Sequence, residues 1–127
     1  MASRAQPEHH IQVAIVARLR GSFDAIVAAV PNGGRRGKRE AVELRAEGVE
    51  PGHPDLIAYG RDGRVLLFEV KAAGGSLSAA QRRLIPNLRE RGFPVAVVRD
   101  VEGAVQAMRE AGFGPRRGPA PEPATEF

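Results

Sequence analysis

Between Glu8 and Arg20 the apolar residues Ile11, Ile15 and Leu19 recur every fourth position, and no breaker intervenes before Gly21. That spacing predicts a helix with one buried stripe, headed on the same face by Glu8 and Gln12. Residues 24–30 (DAIVAAV) are short, branched and closed by Pro31-Asn32-Gly33-Gly34. They read as a strand and a loop, although the alanines would also suit a helical turn. Ala41, Val42, Leu44 and Ala46 predict a short helix over about 38–47, stopped by Gly48. Two strand-like runs, Pro54–Tyr59 and Arg64–Lys71, flank Gly60-Arg61-Asp62-Gly63, a strong hairpin signal. A helical stripe follows at Leu77, Gln81, Leu84, Ile85 and Leu88, which Pro86 should kink or split. Pro94–Arg99 reads as a buried strand and Val101–Gly112 as an amphipathic helix on Val101, Val105 and Met108.

The predicted order is α-β-(α)-β-β-α-β-α. In the hairpin Ile57, Tyr59, Val65 and Leu67 share one face, and Leu56, Ala58, Leu66, Phe68 and Val70 share the other. A sheet apolar on both faces must be covered on both, which implies a three-layer α/β domain with a central mixed sheet flanked by helices. Residues 1–7 read as a disordered lead and residues 8–113 as the domain. Residues 114–127 hold four of the ten prolines and read as a disordered tail.

Three ionisable residues interrupt the apolar hairpin: Asp55, Glu69 and Lys71. Glu69 and Lys71 are two apart and so share a face. A two-residue turn at Asp62-Gly63 would set Asp55 opposite Val70, on the wrong face. A three-residue loop, Arg61 to Gly63, pairs Gly60 with Arg64 and sets Asp55 opposite Glu69. Gly63 suits the left-handed third position of that loop. Two carboxylates so close share a proton or bind a cation, and hard oxygen ligands suit Mg²⁺ or Mn²⁺. A lysine beside such a pair can take a proton from water, which arginine cannot do. The plainer alternative is an ion pair along an exposed strand edge.

Composition narrows the chemistry. The 127 residues are 43% hydrophobic and 27% charged, with a formal charge of +4. Seventeen of the nineteen basic residues are Arg; Lys38 and Lys71 are the two lysines, which makes Lys71 more telling. Cysteine is absent, so disulfides, thiolate metal sites and thiol catalysis are excluded. No stretch approaches the ~20 apolar residues of a membrane span, and the first residues lack a signal-peptide pattern, so a cytoplasmic location is expected. His9, His10 and His53 lack metal-ligand spacing, and Gly37-Lys38-Arg39 lacks the ending of a phosphate-binding P-loop. Arg35, Arg36, Lys38 and Arg39 form a basic cluster that reads either as a solvated loop or as a contact to nucleic-acid phosphates. Ser78-x-x-Gln81 is a capping box, which competes with a phosphate-facing role for Gln81.

The ordered set resembles the VRR-NUC branch of the PD-(D/E)xK nucleases. Its parts are Glu8-x-x-x-Gln12, Asn32-Gly33-Gly34-Arg35-Arg36, Gly48-Val49-Glu50-Pro51-Gly52-His53-Pro54-Asp55, Glu69-Val70-Lys71, Ser78-Ala79-Ala80-Gln81 and Gly92-Phe93-Pro94-Val95-Ala96-Val97. The resemblance spans about residues 8–112. It implies a restriction-endonuclease-like core and a metal held by Asp55, Glu69 and the Val70 carbonyl, with Glu8 completing the acidic pocket. It also implies a catalytic Lys71, with Gln81 near the scissile phosphate. The implied activity is Mg²⁺- or Mn²⁺-dependent hydrolysis of DNA, with branched forms such as flaps or four-way junctions as substrate. A bacterial or phage origin and a homodimer follow as expectations, since one small core presents one site. The alternative is a non-catalytic nucleic-acid-binding module that keeps the nuclease fold.

Overall fold

In the computed structural model the described residues are 5–31, 38–119, 122, 125 and 126. The elements are α1 (Ala5–Ser22), β1 (Ile26–Ala29), α2 (Lys38–Ala46), β2 (Leu56–Tyr59), β3 (Val65–Val70), α3 (Ala79–Glu90), β4 (Val95–Val98) and α4 (Val101–Glu110). The run at 24–30 therefore holds a strand, Ile26–Ala29, and not a helical turn. The sheet order is β1-β2-β3-β4, antiparallel across the first two pairs and parallel between β3 and β4.

Period-two alternation on β3 sends side chains into two cores. Leu66, Phe68 and Val70 join Leu56, Ala58, Val27 and Val98 beneath α1 (Ile15, Leu19) and α4 (Ala104, Val105, Met108). On the opposite face Leu67 packs with Val95 and with Ile85 of α3. The three layers are thus α1/α4, sheet and α3. The third predicted helix, α2, is largely exposed, Val42 included.

Two local features differ from expectation. Helix α3 continues through Pro86, neither ending nor dividing there. A proline removes one helical N–H, and here it sits on the exposed side, where water can serve the carbonyl left without a donor. The hairpin turn is tighter than the three-residue loop. Arg64 N–H donates to Arg61 O (3.1 Å), and Asp62 (φ +57°) and Gly63 (φ +76°) are both left-handed, as in a type I′ turn. Gly60 N–H still donates to Arg64 O (2.8 Å), so Gly60 and Arg61 both face Arg64. This one-residue bulge restores the expected register, Tyr59 with Val65 and Leu56 with Phe68.

Residues 114–116, which composition placed in the tail, lie along the end of α1. Asp24 N–H donates to Gly114 O (3.0 Å), Arg116 N–H to Ser22 O (3.0 Å), and Phe23 bridges Pro115.

Phe68 is fully buried at the centre of the larger core. Phe68→Ala is expected to lower the unfolding free energy by about 3–5 kcal/mol, read by denaturant titration.

Candidate active site

The Gly60–Arg64 pair fixes the phase of the β2–β3 ladder. Hydrogen-bonded pairs then fall at Ala58–Leu66 and Leu56–Phe68, and the next would be Pro54–Val70. Pro54 has no N–H, so the ladder stops there and the Val70 carbonyl receives nothing from it. The Val70 N–H turns instead to Asp55, donating to Oδ2 at 2.8 Å. The Pro54 carbonyl is occupied by His53 Nδ1 at 2.8 Å, which must carry the proton because a carbonyl only accepts. The Asp55 main chain is fixed as well, its carbonyl accepting Val30 N–H at 2.8 Å. The Pro-Asp pair thus ends a strand pairing, frees one carbonyl and aims a carboxylate at Glu69.

Glu69 faces α3 and is 1% exposed. Its Oε2 accepts Gln81 Nε2 at 2.9 Å and lies 3.7 Å from Lys71 Nζ. Its Oε1 is buried with no hydrogen-bond partner. Burial, then the Asp55 charge and hydrogen bonding with Asp55, push the Glu69 carboxyl up to about 8. Lys71 opposes this, and the charge of Glu8, reaching the pocket from α1, adds to it. Gln81 resolves the two readings of its motif at once. Its Oε1 accepts Ser78 N–H (2.8 Å) while its backbone N–H donates to Ser78 Oγ (3.2 Å), completing the capping box. The other end of the same amide holds Glu69, and no rotation between roles is needed.

A buried carboxylate oxygen without a donor is costly unless it shares a proton with Asp55 or a cation meets it. The donor set here, two carboxylates and a carbonyl released from its ladder, is all oxygen and suits a hard divalent ion. The described residues contain no group of three or more acidic or histidine ligands placed to hold a metal ion.

The comparisons with known proteins agree with this architecture. The VRR-NUC domain family matches residues 6–102. The chain belongs to the VRR-NUC family. One solved structure described as a VRR_NUC domain is 21% identical, with a TM-score of 0.59, and the match covers 81% of this chain and 95% of the other. A second, a VRR_NUC domain protein, is 20% identical, with a TM-score of 0.66 and coverage of 91% and 97%. No curated protein matches.

This VRR-NUC domain brings Asp55, Glu69, Lys71 and Gln81 into one pocket, with Glu8 near enough for its charge to act on Glu69. The basic cluster is not gathered there by any described contact. Arg39 is 96% exposed and pairs with Glu43 on α2 (3.8 Å). Arg35 and Arg36 lie outside the described residues, as does the side chain of Lys38. His9 and His10 face each other, ring centroids 5.9 Å apart, at the start of α1.

Two contributors escape a motif-level reading. Gly52 has φ +84°, and a Cβ there would lie 2.6 Å from the Ala80 carbonyl atoms and 2.8 Å from Gln81 N. Only glycine lets the loop before Pro54 touch the first turn of α3, which seats Gln81 over Glu69. The glycine stands in the quoted motif, but its partner comes from a distant segment. Arg99, exposed at the end of β4, donates to Ala72 O at 2.7 Å and places a guanidinium beside the strand end that carries Lys71. An isolated arginine after a strand gives no sequence signal.

Two outcomes follow for the VRR-NUC domain. The metal-free folded chain keeps the Glu69 proton to about pH 8, whereas an unfolded glutamate releases it near 4.5. Over that interval the folded state binds more protons, so stability falls as pH rises from about 4.5 to about 8. Thermal unfolding in EDTA across this range should show that fall in the parent and a flatter profile in Glu69→Gln. Gly52→Ala should cost about 1–3 kcal/mol in denaturant titration, from strain at positive φ and overpacking on α3.

Proposed function

We propose that this protein is a divalent-metal-dependent nuclease that hydrolyses phosphodiester bonds of DNA, with branched forms such as flaps or four-way junctions as its substrate. The observation that carries this reading is the buried Glu69 carboxylate, one oxygen without a partner, set between Asp55 and Lys71. Asp55, Glu69 and the Val70 carbonyl would hold Mg²⁺ or Mn²⁺, with Glu8 closing the acidic side. When bound, the metal supplies charge for the phosphate and lowers the pKa of a coordinated water.

The chain's own residues do the rest. The Val70 N–H holds Asp55, and Gln81 holds Glu69, so both carboxylates are oriented before substrate arrives. Lys71 Nζ would orient the attacking water, taking its proton as the neutral amine or, as the ammonium, stabilising the charge that develops while the new P–O bond forms and the old one breaks. At pH below about 8 the protonated Glu69 is a poor ligand, so activity should rise with pH through that region. One chain offers one such pocket, and cutting both strands of a junction calls for a symmetric pair of copies.

Purified protein with Mg²⁺ or Mn²⁺ is expected to cut DNA from a panel of linear, flapped and four-way forms, and EDTA to abolish cutting. Lys71→Ala and Glu69→Ala should each lower the rate by about 10²–10⁴-fold while DNA binding in EDTA persists. Absence of cutting on every form, or unchanged rates in both variants, would overturn the nuclease reading. Unchanged DNA binding without any metal binding would favour a non-catalytic module.

A further inference from the structure

The end of the sheet remote from the acidic pocket carries a second feature that the proposed chemistry does not use. Arg61 and Arg64 of the hairpin end meet Arg116 and Arg117 of the C-terminal strap around a cavity of about 360 Å³, floored by Phe113. Four guanidinium groups there face two carboxylates, Asp24 and Asp62.

Arg61, Arg64 and Arg117 are exposed, but Asp24 and the main chain of α1 order two of the four arginines. Asp24 orders Arg61 through two contacts, Nε to Oδ2 at 2.9 Å and Nη2 to Oδ1 at 3.4 Å, and lies 3.9 Å from Arg117. Hydrogen bonding from Arg61, reinforced by the charges of Arg117 and Arg116, holds the Asp24 carboxyl below the usual carboxylate range. Arg116 Nε donates to Arg20 O at 2.6 Å, which locks the strap to α1. Arg64 has no acidic partner among the described residues. Its guanidinium lies over Gly112, where a side chain's Cβ would come within 3.5 Å of Arg64 Cζ. Gly60 admits the Phe113 ring, since a Cβ there would meet it at 2.8 Å. Asp24 thus orders Arg61, Arg116 is tied to α1, and the cluster keeps an excess of positive charge.

We infer that this arginine-lined end is a second phosphate-binding surface that holds another arm of a branched DNA while the acidic pocket works on the first. Arginine forks suit phosphate oxygens, and held side chains lose less freedom on binding than loose ones. β3 runs from the arginine end to the pocket, five residues from Arg64 to Glu69, a distance of about 17 Å at strand rise. Helices cover both faces of β3 between these ends. A straight duplex seated in the pocket would meet the arginine end only if it ran along β3, whereas arms that leave a branch point diverge. A branch point supplies the two directions. The choice of substrate class rests on the nuclease reading of the pocket; the phosphate contact itself does not.

The test separates the two. Binding of a four-way junction and of a linear duplex of equal length is measured in EDTA, where no cutting occurs, for the parent and for Arg64→Glu/Arg117→Glu. Arg64→Ala/Arg117→Ala serves as the milder variant, and thermal unfolding confirms that each is folded. Junction affinity is expected to fall at least about 10-fold and the salt slope to shrink by about two, one for each lost phosphate contact. Linear-duplex affinity should change less than about twofold. An unchanged junction affinity, or an equal loss on both DNAs, would overturn the inference. Lys71→Ala bears on the nuclease reading alone, because its loss of cutting leaves these binding ratios where they are.

Discussion

The hydrogen bond from the Val70 N–H to Asp55 Oδ2, 2.8 Å long, is the contact on which the pocket depends. It exists because the strand pairing fails at Pro54. A residue with an N–H at that position would continue the ladder, take the Val70 carbonyl and leave Asp55 without a fixed direction. Instead the ladder ends one step early, a carbonyl is left over, and a carboxylate takes the amide. The main chain at a sheet interior becomes part of the pocket without any loop being built for the purpose.

The same economy governs the other wall. Glu69 lies on the face that α3 covers, so its charge is removed from water, and the capping box of that helix supplies its partner. An N-cap is a local requirement of any helix. Here its glutamine amide has a second end, and the helix start is pressed against the Gly52 loop so that this end reaches Glu69. Fold and pocket are thus coupled through few atoms. Two carboxylates and a buried unpartnered oxygen make the metal-free pocket an unfavourable feature that the apolar cores on either side of β3 must offset.

The element order, the mixed sheet and the pairing of Asp55 with Glu69 were legible because period-two alternation and the Gly60–Gly63 hairpin constrain them tightly. The turn itself was not. A bulge at Gly60-Arg61 with a two-residue turn gives the same register as a three-residue loop, and the residue types suit both. Pro86 signals a kink or a split, and the helix is not split there because the lost hydrogen bond falls on the solvent side, which propensity alone does not register. The contact of Gly52 with Ala80 and the arginines gathered at the hairpin end were illegible for a common reason. Each joins segments far apart in the chain, and Arg61 and Arg117 carry no pattern that predicts their shared partner Asp24.

The domain is therefore polarised along β3, with an acidic pocket at one end and an arginine surface at the other. The pocket's proposed chemistry turns on its demand for a cation. Calorimetric titration of Mn²⁺ into the metal-free protein at pH 8, with Glu69→Gln as the comparison, tests that demand without DNA or turnover. A saturable heat near one ion per chain is expected in the parent, and its loss in the variant. No heat in the parent, or an equal heat in both, would contradict that demand.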